Sequence, residues 1–489
     1  MLFNSHIFML LFLPLLLAGW YFLNWKKKFQ LAQGYLIGMS LWFYAYANLQ
    51  YLWLLLFSCL IGWLLSCLPE KISSEKGKKV LTGVGCVFHL GLLGYFKYSN
   101  FFLENLNTVF HTDFPMLQIL LPVGISFYTF QQLAYLIDRC RGDAPGDSFF
   151  DYLTFMVYFP QLLQGPILLR SEFMGQLKEP ERRRFHAERF SEGIQFFVFG
   201  LAKKVLLADT LAKAVNYGYS NVSMLDSISA LLLAVGYLTE LYFDFSGYCD
   251  MAVGLGKMIG LEVAENFDAP FQSASVKEFW RRWHMTLGRF FTRYVYIPLG
   301  GNRRGKMRTL CNVMIVMLLS GLWHGAAWTF VLWGFLHGVG MIWDNLEHPH
   351  LPKKWMRQAA TFAYVCMTFV FFRAESIAQG VDVLKSIVSL KWNGFVFQMA
   401  SALDMTECYI ITKVLSMKLP GLLSWFWLGI FVVLIAICFR VLSGEKVSGV
   451  VALQRQKGYG RLYPVLLAVL FTWSMISMTG VSEYLYFSF

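Results

Sequence analysis

Two tryptophan–histidine pairs, Trp283-His284 and Trp323-His324, lie forty residues apart in this chain. Histidine titrates closest to neutral pH, so it takes or gives a proton at little cost. His324 sits in LLSGLWHGAAWTFVLWGF, a run without a charged side chain. An ionisable group at membrane depth is costly, and its default reading is functional. Gly321, Gly325, Ala326 and Ala327 are small enough for a second backbone or a thin substrate chain to come close. Trp323, Trp328 and Trp333 could wall a tunnel beside the imidazole. The competing reading is a histidine that only hydrogen-bonds between helices.

His284 lies in a different setting, EFWRRWHMTLGRFFTRYVYIPLGGNRRG. Trp280, Arg281, Arg282 and Trp283 follow one another within about a turn. The arginines could meet lipid phosphates from an interfacial helix. They could equally form a cationic site for an anionic substrate, because guanidinium makes bidentate contacts with phosphate; phosphopantetheine and coenzyme A carry such groups. Arg289, Arg293, Arg303 and Arg304 would extend the patch, and Pro298–Gly301 supplies a glycine-rich turn beside it. Asp244 and Asp250 flank YFDFSGYCD, where pairing with a cation is the simpler role and orienting a histidine the alternative. His337, thirteen residues past His324, reads as structural. His348 and His350 flank Pro349 with no partner cluster, so no metal site is expected there. The chain has no GxSxG, Walker A or HExxH motif.

The elements that position these residues are membrane helices. The 489 residues are 57% hydrophobic and 15% charged, with mean hydropathy +0.50, against about 25% charged in soluble domains. The net charge of +12 sits in short runs between apolar segments, such as Lys26–Lys28, Lys76–Lys79, Arg182–Arg184 and Lys353-Lys354. That is the positive-inside pattern, and it argues against nucleic-acid binding. The nine cysteines are scattered with no CxxC and read as buried small hydrophobes. The basic residues follow the first apolar run, so it reads as a first membrane helix with Lys26–Lys28 in the cytoplasm and not as a cleaved signal.

Apolar segments near the roughly 20 residues needed to cross a bilayer fall at 7–24, 31–48, 50–68, 80–97, 117–137, 151–169, 190–208, 226–245, 309–322, 326–343, 358–373, 424–442 and 461–480. The expected fold is all-α and polytopic, with about 11–14 transmembrane or re-entrant helices. Pro160 and Gly165-Pro166 should break the sixth segment. Segment 281–300 is too arginine-rich to face lipid and should lie at the interface or re-enter. Segment 377–393 has amphipathic spacing and could lie flat. No repeat or soluble domain is evident, so 1–489 reads as one integral membrane domain: a scaffold over 1–115, a core over 116–345 and C-terminal helices over 346–489.

Several motifs together resemble the membrane-bound O-acyltransferase family, closest to its bacterial alginate O-acetyltransferase subfamily. They are LPVGISFYTFQQLAYLIDRCRG, YFPQLLQGPILLR, FDFSGYCDMAVGLGKMIG, NFDAPF, EFWRRWHMTLGRFFTRYVYIPLGGNRRG and GLWHGAAWTFVLWGFLHG. The resemblance implies helices around a central funnel or tunnel in a bacterial cytoplasmic membrane. It implies transfer of an acyl group, acetyl above all, from a cytoplasmic thioester such as acetyl-CoA to a hydroxyl outside. His324 would match the principal catalytic histidine, as general base or nucleophile, and His284 the second. Arg281, Arg282, Arg303 and Arg304 would hold the donor, and Trp280, Trp283, Trp323 and Trp328 would line the tunnel. No tightly bound cofactor or metal is implied. An extracytoplasmic, SGNH-hydrolase-like partner would receive the acetyl and pass it to polysaccharide. D-alanylation of teichoic acid and peptidoglycan O-acetylation remain open within the family; a polysaccharide flippase is the rival outside it, weakened by the absence of repeats.

Overall fold

The computed structural model describes residues 1–47, 49–346, 352–442, 444, 446–458, 460, 462–478, 484 and 485. His348 and His350 lie outside the described residues. Helices joined by turns make up the fold, with no strand among the described residues. Lipid offers the backbone no hydrogen bonds, and a helix meets all of them within one segment. Among the described residues, six helices are long and apolar enough to cross a membrane: Phe8–Trp25, Leu49–Cys67, Glu75–Phe110, Ser227–Ile259, Lys306–His324 and Pro420–Leu442. The chain is a multi-pass membrane protein.

The other expected spans are shorter, less apolar or interrupted. The segment at 117–137 becomes helical only at Ile125, just after Pro122 and Gly124. The segment at 151–169 breaks at its proline and glycine: short helices Phe149–Val157 and Phe159–Leu162 give way to irregular chain as far as Leu169. Gly165 permits this turn, because a Cβ there would lie 2.2 Å from the carbonyl oxygen of Pro160. Segment 281–300 is divided as well, into Val276–Arg282, Met285–Phe291 and a π-helical turn at Thr292–Tyr296. The amphipathic segment forms helix Ile377–Val388, whose first turn donates from Gln379 N to Ser376 Oγ at 3.1 Å.

The fold divides into two compact units. One comprises residues 1–197, 248–265 and 286–298; the other comprises 198–247, 266–285 and 299–489. The first has an aromatic core of Phe3, Phe8, Phe12, Phe43 and Phe159, with ring centroids 5.0–6.4 Å apart. Its buried Asp147 pairs with Arg170 and accepts the Tyr135 hydroxyl at 3.1 Å. Arg289 and Arg293 also belong to this unit and are spent on ion pairs, Arg289 with Glu172 and Arg293 with Asp138 and Asp143, both at 3.0 Å. They therefore do not extend a phosphate-binding patch as their spacing suggested.

The second unit is anchored by Lys204, almost wholly buried, which bonds Asp244 at 2.6 Å and Asp209 at 2.8 Å. Asp244 also accepts the backbone N–H of Leu485 at 3.1 Å. A charge this deeply buried persists only when paired, and here the partner of Asp244 is a lysine. Nearby in the same unit, helices Lys306–His324 and Trp328–Asn345 run against each other with their backbones touching. A Cβ at Gly321 would sit 2.3 Å from Phe330 O and 3.3 Å from Gly334 Cα; one at Gly334 would sit 2.5 Å from Met317 O. Helix Lys354–Arg373 packs on the pair, and Tyr364 donates to Leu336 O at 2.6 Å. Gly321→Val should lower stability by roughly 1–3 kcal/mol, the usual cost of overpacking. The apparent melting temperature of the detergent-purified protein measures it, and an unshifted value would contradict backbone contact at this crossing.

Candidate active site

The candidate site lies within the second unit. Helix Val276–Arg282 begins at Ser275, whose hydroxyl accepts from Glu278 N at 3.1 Å. Its start is tied to helix Trp328–Asn345: Lys277 donates its backbone N–H to Asp344 and its ammonium to Asn345, both at 2.8 Å. The helix stops at Trp283, which is extended, and His284 follows with φ +45°. A left-handed backbone is uncommon for a residue with a Cβ and persists only where neighbours impose it. The stretch 266–268 imposes it: Asp268 N donates to Arg282 O and Met285 N to Asn266 O, each at 2.9 Å. The Asn266 side-chain oxygen also bonds His284 Nδ1 at 3.2 Å.

That last bond sets the imidazole's chemistry. An amide oxygen only accepts, so Nδ1 carries the proton and Nε2 of the neutral ring keeps its lone pair. His284 Nε2 is buried with no hydrogen-bond partner among the described residues. The ring is enclosed by Phe245 (4.7 Å between centroids), Trp323 (6.1 Å) and His324 (6.5 Å).

His324 ends the helix Lys306–His324. A Cβ at the next residue, Gly325, would strike the Phe330 ring at 2.0 Å, so the turn out of the helix needs glycine there. His324 is 3% exposed and ringed by Trp323 (4.9 Å), Trp333 (5.1 Å) and Phe372 (5.2 Å). The two histidines, forty residues apart in sequence, thus share one buried aromatic chamber. An imidazole pair shielded from bulk water can move a proton or attack a carbonyl without competition from hydrolysis.

His337 stands one layer behind. The Trp280 indole N–H donates to its Nδ1 at 3.2 Å, and its Nε2 lies 2.9 Å from Thr368 Oγ1, whose own proton goes to Val365 O at 2.8 Å. An indole nitrogen only donates, so the network admits a single neutral tautomer with the proton on Nε2. His337 welds three helices together and backs Trp333, 4.8 Å from its ring.

The expected tunnel tryptophans separate. Trp283 and Trp323 are buried against the site, Trp280 is half-buried and held by His337, and Trp328 is 56% exposed. Trp328 lies at the start of its helix, whereas Trp333, five residues on and named with it in the sequence, is buried against His324. The arginines separate too. Arg281 and Arg282 line a surface pocket of about 560 Å³ with Lys277, Ser275, Asp268 and Glu278. Arg282 is already engaged, with Glu278 at 2.9 Å and Asp268 O at 3.3 Å, whereas Arg281 is exposed and has no ion-pair partner among the described residues. Arg303 and Arg304 are exposed on the glycine turn and do not line this pocket. Asn266, Phe245, Thr368, Phe369 and Phe372 belong to the site and were not singled out in sequence. Asn266 and Phe245 had a signal, lying in the motifs NFDAPF and FDFSGYCDMAVGLGKMIG.

A sequence model of the membrane-bound O-acyltransferase family matches residues 146–379. A Helicobacter pylori protein named "Peptidoglycan O-acetyltransferase" is 35% identical over 423 residues, 80% of each chain. This chain belongs to the membrane-bound O-acyltransferase family. An Azotobacter vinelandii relative named "Probable alginate O-acetylase AlgI" is 39% identical over 77% of this chain and 76% of its own. A Bacillus subtilis "Teichoic acid D-alanyltransferase" is 28% identical over 52% of this chain and 69% of its own. The family match contains every ring around both histidines, so the chamber of this acyltransferase is built within the shared region. Thr368→Val in this acyltransferase should leave the Nε2–H of His337 without an acceptor. The expected loss is about 1–3 kcal/mol, read as a lower melting temperature, with Thr368→Ser retaining most of the wild-type value.

Proposed function

We propose that this O-acyltransferase moves acetyl groups from a cytoplasmic thioester, acetyl-CoA, across the membrane for O-acetylation of an exported glycan, with His324 as its catalytic base. The observation that carries the reading is the buried chamber in which His324 and His284 face each other across 6.5 Å. His324 takes the acceptor's hydroxyl proton as its oxygen attacks the thioester carbonyl. The tetrahedral intermediate then collapses, the C–S bond breaks, and the proton passes to the leaving thiolate. Nucleophilic attack by His324 through an acyl-imidazole gives the same products in two steps. With its Nδ1 proton given to Asn266, neutral His284 offers a lone pair at Nε2. That suits orienting a hydroxyl or thiol proton; donating to an oxyanion would first require His284 to be protonated.

Arg281, at the surface pocket and without an ion pair among the described residues, is the arginine best placed for the donor's phosphates, with Arg303 and Arg304 available on a separate loop. The D-alanyl transferase likeness covers about half of the chain and the O-acetylating relatives about four fifths, which favours acetyl as the acyl group. The chain would act in the bacterial cytoplasmic membrane and hand the acetyl to an extracytoplasmic partner of the SGNH-hydrolase type. Alginate and peptidoglycan are the polymers named among its O-acetylating relatives.

His324→Ala should lower glycan acetylation by about 10²–10⁴-fold, the usual contribution of a positioned base, while the protein stays folded by gel filtration. Acetylation at the wild-type level would end the assignment. Arg281→Glu should raise KM for acetyl-CoA roughly tenfold or more, consistent with loss of a charged contact, and leave kcat near wild type. An unchanged KM would place the phosphates elsewhere.

A further inference from the structure

We propose that the indole N–H of Trp333 is the hydrogen-bond donor for the oxyanion formed during acyl transfer; the inference rests on the reading of His324 as the group that acts on the acceptor. Trp333 is 1% exposed, and its Nε1 has no hydrogen-bond partner among the described residues. Buried polar groups are nearly always paired, so an exception calls for an explanation. An indole nitrogen can only donate, and the nearest ring that could accept, His337, has both nitrogens engaged by Trp280 and Thr368. Another polar atom here without a partner among the described residues is His284 Nε2, a lone pair on a ring 6.5 Å from that of His324. A donor and an acceptor are thus held open around one imidazole, as a carbonyl and a proton-bearing group would need.

The placement fits that use. The Trp333 and His324 rings are nearly perpendicular, with centroids 5.1 Å apart and planes at 84°. At that separation the base and the indole can both reach one acyl carbonyl. The indole is immobilised by Trp280 (5.6 Å), His337 (4.8 Å), Phe369 (5.5 Å) and Phe372 (5.1 Å). The next residue, Gly334, is in backbone contact with the helix that carries His324. A donor fixed in advance in a dry site costs no reorganisation when charge develops, which is what makes such groups effective. As the acceptor oxygen bonds to the acyl carbon, the C=O π electrons move onto the oxygen, and the Trp333 N–H receives that charge. When the C–S bond breaks, the carbonyl reforms and the indole keeps its proton throughout.

The test replaces Trp333 in the full chain with 3-benzothienylalanine, which puts sulfur in place of N–H and keeps the ring shape, and separately with Phe. Proteoliposomes receive acetyl-CoA, the host's extracytoplasmic partner and its exported glycan, and acetyl deposited on partner and glycan is measured alongside the melting temperature. Both variants should lose about 10²–10³-fold in kcat, the usual effect of removing one oxyanion donor, with KM for acetyl-CoA unchanged. The benzothienyl variant should also keep the wild-type melting temperature, and it decides the matter if Trp333→Phe fails to fold. Wild-type kcat in the benzothienyl variant, or a loss confined to KM, would overturn the role. If His324→Ala is inactive and the benzothienyl variant is fully active, only the oxyanion role falls. If His324→Ala is itself active, the catalytic reading beneath it falls.

Discussion

Gly321 and Gly334 let two helix backbones touch, and the chamber depends on that contact. Any side chain at either position would meet a carbonyl oxygen of the facing helix within 2.5 Å. With the backbones this close, His324 at the end of one helix and Trp333 on the other are brought edge to ring. Without water to drive apolar surfaces together, helices in lipid associate through close packing and hydrogen bonds, and small residues make both possible. The glycines are therefore part of the site's construction even though they present no chemistry.

Polar groups then hold what packing brings together. Asn266 supports the left-handed backbone at His284 and selects its tautomer. His337 does the same for the layer behind Trp333, with Trp280 as donor and Thr368 as acceptor. Both histidines are uncharged hydrogen-bonding pieces at these nitrogens. The difference between them is that His337 is used on both sides and His284 on one. An imidazole with a nitrogen still available can take part in chemistry; one with both nitrogens engaged is a strut.

The basic residues near His284 follow a different logic. They are adjacent in sequence and look like one cationic patch. In the fold, Arg289 and Arg293 neutralise carboxylates of the first unit, Arg282 is paired with Glu278 on its own helix, and Arg303 and Arg304 ride on an exposed turn. Of these arginines, Arg281 is the one that lines the surface pocket without an ion pair among the described residues. A buried or half-buried guanidinium needs a partner, and the carboxylates that serve lie more than a hundred residues away for Arg289 and Arg293.

Membrane embedding, the all-helical architecture, the break at Pro160 and Gly165, and the two candidate histidines were all legible in the chain. Each follows from local composition meeting a uniform solvent: apolar runs enter lipid, lipid demands helices, and proline and glycine interrupt them. The choice among like residues was not legible. Trp333 is buried against His324 while Trp328 is largely exposed, Arg281 and not Arg282 lacks an ion pair among the described residues, and Asn266 and Thr368 fix the tautomers of two buried imidazoles. These choices depend on pairings such as His284 with His324 and His337 with Thr368, which join residues from separate helices. Sequence periodicity tells which face of a helix is apolar; only the tertiary structure decides what that face meets.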